Sequence, residues 1–387
     1  MPTPEQHALL SASSSERWLH CTRAPRLEEQ LPESTSTYAE EGRLAHAIAE
    51  LKALKKFTVL KPSTYTRRLN KLKKDSLYTT EMDRHTDTYI DVLNEIAMNY
   101  DSRPHVAVEQ RLDFSQFVPE GFGTGDCVMI GGNKLNIIDL KYGKGVPVSA
   151  EHNPQMMLYA LGALSVYSLL YQIDTICMTI VQPRLDSVSS WEISRDDLLN
   201  WAAFTVRPKA QQAFAGEGDF APGDWCRFCR AKANCRARAD QYSAVMDFVD
   251  EHPIPAGLLS TAEIGHLLNE TRGLKAWLAD LEEHALNLVL TGEDVPGWKA
   301  VEGRSTRAFT DQAAAFAAIQ QAGIDEAMLY ERRPLTLSAI EKMMGKAQFA
   351  EVVGSYVIKP QGKPTLAPET DKREPFGQSA AARDFSE

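Results

Sequence analysis

Two aspartates and a lysine near the middle of the chain have the types and spacing that could bind a divalent cation. Asp126 starts one Val- and Ile-rich segment, Asp139 ends the next, and Lys141 follows two residues later. Gly131-Gly132-Asn133 lies between these segments and predicts a hairpin, which would bring both carboxylates to one sheet edge. Such carboxylates attract Mg²⁺, and a nearby ammonium can stabilise charge developing on a phosphate. An isolated Asp-x-Lys is common by chance, and is then usually an exposed salt bridge at a strand end.

Further candidate residues lie on the segments before and after this hairpin. His46 and Glu50 are spaced i,i+4 on a helical segment, and Gln155 and Tyr159 have the same spacing on the segment that follows the hairpin. Taken singly, a helical histidine is more often structural, and Gln or Tyr on a helix usually packs or faces solvent. Their order along the chain is what favours one shared site. Glu109 is either an acid beside that site or an ordinary surface carboxylate.

Four of the six cysteines have a pattern typical of a metal or cluster site. Cys127 and Cys177 lie inside apolar runs, which predicts small buried hydrophobes. Three others form Cys226-x2-Cys229-x5-Cys235, where Trp225 and Phe228 could shield them from water, and Cys21 is the candidate for a fourth ligand. Four thiolates bind an iron–sulfur cluster or a zinc ion. Structural zinc sites usually show two close cysteine pairs, so the cluster is favoured and zinc is the alternative.

The elements around these residues predict an α/β fold. Hydrophobic periodicity predicts helices over 38–57, 80–100, 154–171 and 196–214, and strands over 105–114, 125–130, 134–140, 174–181 and 188–193. This order fits helices packed on a mixed sheet. Residues 1–37 look irregular because of their prolines. We expect three parts: residues 1–238 as the core domain, 239–358 as a mainly helical region with a hairpin around Gly303, and 359–387 as a flexible tail.

In their order, these motifs resemble those of RecB/AddB-type nucleases of the PD-(D/E)XK class, a set that CRISPR-associated exonucleases share. The matching motifs are Gly42-x3-His46, Gly123-x2-Asp126, Asp139-x-Lys141 and Gln155-x3-Tyr159. The match covers about residues 38–160, and the cysteines extend it to 235. The runs that begin at residues 139 and 362 are similar to an often phage-borne branch of this class.

The resemblance implies a restriction-endonuclease-like core with an appended, mainly helical C-terminal region. It also implies a role for each matching residue. The metal ligands for Mg²⁺ or Mn²⁺ would be His46, Asp126, Asp139 and the backbone carbonyl of Leu140. Lys141 would be the catalytic lysine, and Gln155 and Tyr159 would support it and the substrate strand. The cysteines would hold a [4Fe–4S] cluster that closes the domain; these are Cys21, Cys226, Cys229 and Cys235.

Composition sets limits on partners and location. The net charge is −10, which argues against a protein coated with nucleic acid. Two local basic runs, over 61–74 and 227–238, are either solvated faces or tracks for a phosphate backbone. The chain has no apolar stretch of about 20 residues and no signal-peptide pattern. We therefore expect no membrane contact and a cytoplasmic location in a bacterial or phage-infected cell.

The expected function is that of a metal-dependent DNA nuclease. It would act as an exonuclease on single-stranded or frayed ends, in recombination, repair or phage DNA metabolism. Besides DNA, the candidate partners are a single-strand-binding protein and a recombination protein. One alternative is a non-catalytic iron–sulfur or zinc protein that binds DNA or assists assembly on the same fold. Another is a metal-dependent hydrolase of other phosphodiesters.

Overall fold

The computed structural model describes residues 8–32, 37–251, 260–301, 310–322, 324–330 and 337–358. Their contacts divide the chain into two units, Met1–Asp294 and Val295–Glu387. The boundary expected at residue 238 stays a prediction. Within the described ranges, every helix is too short or too polar to cross a lipid bilayer.

Eleven helices belong to the described part of the first unit. They are α1 Ser15–His20, α2 Ala24–Glu29, α3 Thr37–Phe57, α4 Pro62–Leu72, α5 Thr80–Met98, α6 Pro154–Tyr167, α7 Arg195–Trp201, α8 Arg207–Ala215, α9 Arg236–Glu251, α10 Thr261–Glu270 and α11 Leu274–Leu290. A π-helical turn, Ala202–Val206, joins α7 to α8, so the helix predicted there is nearly continuous. The prediction that residues 1–37 are irregular was wrong for α1 and α2. Pro25 fits because it occupies the first turn of α2, where no backbone donor is required.

A five-stranded mixed sheet lies among these helices and confirms the predicted α/β class. The strands are β1 His105–Asp113, β2 Phe122–Gly131, β3 Lys134–Leu140, β4 Thr175–Gln182 and β5 Ser187–Ser194, and they follow one another across the sheet in chain order. Only the β3–β4 pair is parallel. A parallel pair needs a long crossover, and α6 lies in that connection.

The predicted hairpin joins β2 to β3, as the turn residues indicated. Gly131 pairs with Lys134, and Gly132 has a φ of +57°, a left-handed conformation that glycine adopts without strain. This turn fixes the register of the two strands. A slip of one residue would turn every side chain of a strand to the other face, so the turn also determines where the two aspartates meet.

Apolar side chains cover both faces of the sheet and hold the two helices that carry candidate residues. On one side, α6 is buried along most of its length against β2, β3 and β4. On the other side, Ala49 and Ala53 of α3 pack with α5 and the sheet. These small side chains let α3 approach α5 and the sheet closely. Ala45 on the same helix is also fully buried.

The described part of the second unit contains three helices. They are α12 Gln312–Gln321, α13 Leu337–Met344 and α14 Lys346–Val353. The predicted mainly helical character holds for these residues. The predicted hairpin around Gly303 and the predicted tail after residue 359 lie outside the described residues.

Candidate functional site

Three carboxylates occupy one row across β1, β2 and β3. In the β1–β2 pairing, Glu109 falls at the position opposite Asp126. In the β2–β3 pairing, Asp126 falls opposite Asp139, one step beyond the last paired residues. Residues opposite one another on adjacent strands project from the same face, with Cβ atoms about 5 Å apart. The row therefore concentrates negative charge at one place on the sheet.

Glu109 adopts a strained backbone conformation within this row. Its φ of +51° is left-handed, which is uncommon for a residue with a side chain. The residues on either side of it keep the β1–β2 pairing, so the distortion is local. Partial desolvation and, to a lesser extent, the charges of Asp126 and Glu50 together raise the pKa of Glu109 to about 7. Such strain tends to persist where the surroundings hold a residue for a functional reason.

His46 reaches this row from α3. Its Nδ1 atom lies 3.2 Å from Oδ1 of Asp126, although the two residues are 80 positions apart in sequence. Burial alone would lower the pKa of His46, but the charge and hydrogen bond of Asp126 outweigh it and raise the pKa to about 9. One ligand atom each from His46, Glu109 and Asp126 lies within 4.8 Å of the other two. These three residues form a possible metal-binding triad.

Asp139 is close to this triad but does not belong to it. Its side chain is 4% exposed, and its Oδ2 lies 3.1 Å from Nζ of Lys141. That oxygen nevertheless lacks a well-directed hydrogen bond within the described residues. Burial raises the pKa of Asp139, the Lys141 ammonium opposes this rise, and Asp126 adds to it. A buried carboxylate oxygen without a full set of partners is suited to accept a cation or a proton.

Backbone and side-chain hydrogen bonds hold the remaining candidates in place. The amide nitrogen of Leu140 donates to Oδ2 of Asp126 at 2.7 Å, which orients that carboxylate toward β3. Nζ of Lys141 donates to Oε1 of Gln155 at 2.9 Å. Nε2 of Gln155 in turn donates to the Tyr159 hydroxyl at 3.1 Å. The structure thus links Lys141, Gln155 and Tyr159 in one chain of hydrogen bonds.

Gly123 has a steric role that the motif spacing alone did not reveal. A Cβ atom at this position would lie 2.7 Å from Cε1 of Tyr159, closer than side chains approach. Glycine at 123 therefore gives the Tyr159 ring room to lie over β2. Gly42, in the same motif set, differs, because a Cβ there would meet no atom within 4 Å.

The four candidate cysteines come together at a second place in the first unit. Cys21, Cys226, Cys229 and Cys235 line one small cavity, and all six cysteines of the chain are free thiols. Burial raises the pKa of Cys21 and Cys226, and raises that of Cys229 to about 12. Trp225 lines the cavity as expected. Phe228 is 75% exposed, so the prediction that it shields the thiols was wrong.

The other two cysteines are not equivalent to each other. Cys127 is fully buried, as its apolar run predicted. Cys177 is only half-buried, so that prediction was wrong for it.

Ion pairs and hydrogen bonds tie the N-terminal helices to the cysteine region. Nε of Arg17 lies 2.7 Å from Oε2 of Glu28, and the two side chains are 15% and 6% exposed. The other oxygen of Glu28 accepts from the amide of Arg230 at 2.8 Å. Thr22 donates to the carbonyl of Glu217 at 2.8 Å. Cys21 is thereby held beside the three later cysteines by contacts that involve no metal.

The fold and the site together define an α/β protein with a possible cation site at the sheet and a cluster of thiols near its N-terminal helices. The chain belongs to the family described as "Protein of unknown function (DUF2800)", whose model matches residues 7–374. It is also similar to a solved structure titled "Crystal structure of SSO0001". That likeness has 14% identity, covers 58% of this chain and 96% of that chain, and has a TM-score of 0.23, so it adds nothing to the fold or the function.

Proposed function

We propose that this chain is a divalent-metal-dependent deoxyribonuclease with a PD-(D/E)XK-type core. The observation that carries the proposal is the carboxylate row of Glu109, Asp126 and Asp139, which His46 meets from one side and Lys141 from the other. Metal-dependent hydrolysis of a phosphodiester uses a cation, an activated water and a positive charge near the phosphate. The row supplies ligands for the cation, and Lys141 supplies the positive charge near the phosphate.

The residues present fit a hard divalent cation. Mg²⁺ and Mn²⁺ prefer carboxylate oxygens, and His46, Asp126, Asp139 and the Leu140 carbonyl would hold the ion, with Glu109 as an added acidic neighbour. One ligand atom each from His46, Glu109 and Asp126 lies within 4.8 Å of the other two, which supports this fit. When bound, the ion would polarise the phosphate and lower the pKa of an attacking water.

The protein's own part is to position Lys141. Its Nζ is held between Oδ2 of Asp139 at 3.1 Å and Oε1 of Gln155 at 2.9 Å. Gln155 is fixed by Tyr159, and α6 is buried, so the ammonium has little freedom. A fixed cation aimed at the place where charge develops stabilises the transition state without reorganisation.

We also propose that the four cysteines bind an iron–sulfur cluster. The four cysteines line one small cavity in the described part of the chain, which supports a shared centre. Structural zinc sites usually show two close cysteine pairs, and Cys21 is far in sequence from Cys226, Cys229 and Cys235. This arrangement favours [4Fe–4S], with zinc as the alternative.

The nuclease proposal is tested with end-labelled single- and double-stranded DNA. We expect the wild type to degrade one or both in Mg²⁺ or Mn²⁺, and chelator to stop the reaction. Asp139→Ala should lose cleavage but still bind DNA. If the wild type binds DNA and never cuts it, the non-catalytic alternative is supported, and cleavage of small phosphodiesters alone would favour the other hydrolase.

The cluster proposal is tested by anaerobic purification and an absorption spectrum. We expect a brown protein that absorbs near ~400 nm, and we expect Cys229→Ser to lose this band. Cys177→Ser is the matched control, because Cys177 is outside the cavity, and it should keep the band. A colourless wild type that contains zinc would contradict the cluster.

A further inference from the structure

The first basic run forms α4 and presents a cationic face to solvent. Arg67, Lys71 and Lys74 are spaced i,i+4 and i+7, so they lie on one side of the helix and of the turn that follows it. All three residues are exposed. Each of the three lacks an ion-pair partner among the described residues, whereas the neighbouring Arg68 is paired. Like charges at this spacing repel one another, so the face is poised for an anion.

The second basic run is used differently. Most of its cations are engaged within the first unit. Lys232 and Arg238 both pair with Asp280, at 2.6 and 3.5 Å, and Arg236 pairs with Asp240 at 3.0 Å. Arg230 donates to the Leu31 carbonyl at 3.0 Å. The run over 227–238 is therefore mainly structural. Of the two basic runs, the one on α4 is the better candidate for binding phosphates.

The helix α4 is attached to the helix that carries His46. Nη2 of Arg68 lies 3.3 Å from Oε1 of Glu50, and Glu50 is one helical turn beyond His46 on α3. One turn corresponds to about 6 Å along the helix axis. Leu69 and Leu72 pack in the cluster that contains Tyr142, which directly follows Lys141. These contacts fix α4 beside the candidate site.

We propose that the α4 face, defined as Arg67, Lys71 and Lys74, binds the phosphodiester backbone of the DNA strand that enters the site. This inference rests on the proposed nuclease function and adds to it the surface that guides the strand. The negative charges of three phosphates along an extended strand would balance the three positive charges on this side of the helix. Backbone contacts of this kind carry no sequence preference, so the enzyme would accept strands of any sequence.

The test neutralises the face in the full-length protein and measures binding separately from cleavage. Binding of a fluorescent oligothymidylate is followed by anisotropy in chelator across a series of salt concentrations. The variant is Arg67→Gln/Lys71→Gln/Lys74→Gln, in which glutamine keeps helix propensity. Each lost contact with a single strand reduces the salt slope by about 0.7, so we expect a slope shallower by about 2 and binding on the order of 100-fold weaker at ~0.1 M salt.

A matched control removes the same charge elsewhere. Arg103, Lys209 and Lys275 are exposed and lie on other segments. Arg103→Gln/Lys209→Gln/Lys275→Gln should keep the wild-type salt slope. Arg67→Lys, which retains the charge, should bind as the wild type does, and circular dichroism checks the fold of every variant.

The outcomes separate this inference from the nuclease proposal. An unchanged salt slope in the α4 variant, or an equal loss in the control variant, overturns the role of α4 even if the enzyme cuts DNA. An α4-dependent slope in a protein that never cuts DNA supports the binding face while the nuclease proposal fails.

Discussion

Three carboxylates close together repel one another in the absence of a cation, and this is where the pKa shifts originate. Desolvation and mutual repulsion raise the pKa values of Glu109 and Asp139, whereas Asp126 raises that of His46. In the absence of a cation the row therefore retains protons that a cation would displace, which couples metal binding to pH. Metal affinity should rise with pH as these protons become easier to remove.

Substitution of Glu109 should change how stability depends on pH. Its folded-state pKa of about 7 lies above the ordinary value of 4.5, so its stabilising contribution is full below about pH 4.5 and is lost as the pH rises through about 7. In chelator, Glu109→Gln should therefore become more stable relative to the wild type between about pH 5 and about pH 8. Urea unfolding at both pH values measures this change. Glu95→Gln, at an exposed position on α5, is the control, and parallel curves for wild type and Glu109→Gln would contradict the expectation.

Substitution by alanine should change the stability of the protein in opposite directions at Gly123 and Gly42. In Gly123→Ala the new Cβ would lie 2.7 Å from the Tyr159 ring, and such overpacking costs about 1–3 kcal/mol. In Gly42→Ala the new Cβ meets nothing within 4 Å, so the gain in helix propensity should stabilise the protein by about 0.5–1 kcal/mol. The unfolding free energies of the two variants provide the measurement. Equal stability would show that Tyr159 does not need the space at Gly123.

Single residues were predictable from sequence to different degrees. Motif order indicated that His46 and Asp126 meet across 80 positions, and the hydrogen bond between them agrees. The place of Glu109 was not predictable with the same certainty, because it depends on a left-handed φ within β1. Alternation along a strand indicates which side a residue faces, but it does not reveal a local distortion of the backbone.

Among the secondary-structure elements, long and periodic segments were the easier ones to predict. The helix α3 and all five strands agree with the expected segments to within a few residues, because their apolar residues recur in a regular pattern along the sequence. The short helices α1 and α2 were missed, since six residues contain too few turns for a periodic pattern. Tertiary contacts rather than helix propensity stabilise helices of that length.

Those tertiary contacts depend on Glu28, which joins α1, α2 and the cysteine region. Glu28→Ala would leave Arg17 largely buried without its partner, which costs about 3–5 kcal/mol for a buried pair. Glu28→Gln keeps the shape and an acceptor for the Arg230 amide, so its loss should be smaller. Urea denaturation compares the two variants, and a wild-type midpoint for Glu28→Ala would show that the N-terminal helices are held by other contacts.

The whole molecule has a net charge of −10, yet it is proposed to bind a polyanion. The two statements are compatible because the cations proposed to bind DNA are concentrated on the α4 face. Lys232, Arg236 and Arg238 of the second basic run pair with carboxylates, whereas the α4 face is exposed. Composition alone could not distinguish these two uses of Lys and Arg, because the distinction depends on which carboxylates fold next to them.

Cation binding should stabilise the whole first unit. A ligand that binds only the folded state adds about 2.7 kcal/mol at 100 times its Kd, so Mn²⁺ should raise the melting temperature. Asp126→Asn should lose this rise, because Asp126 contacts both His46 and the Leu140 amide. Asp91→Asn, at an exposed position on α5, should keep it. The same rise in all three proteins would place the stabilising cation elsewhere.

The central claim is that one cation binds where the carboxylate row meets His46. Anomalous diffraction from crystals of the full-length protein soaked in Mn²⁺ locates that ion directly. We expect a peak in contact with Asp126 and Asp139, within coordination distance of His46. Manganese bound only elsewhere on the protein, with no peak at the row, would contradict the claim.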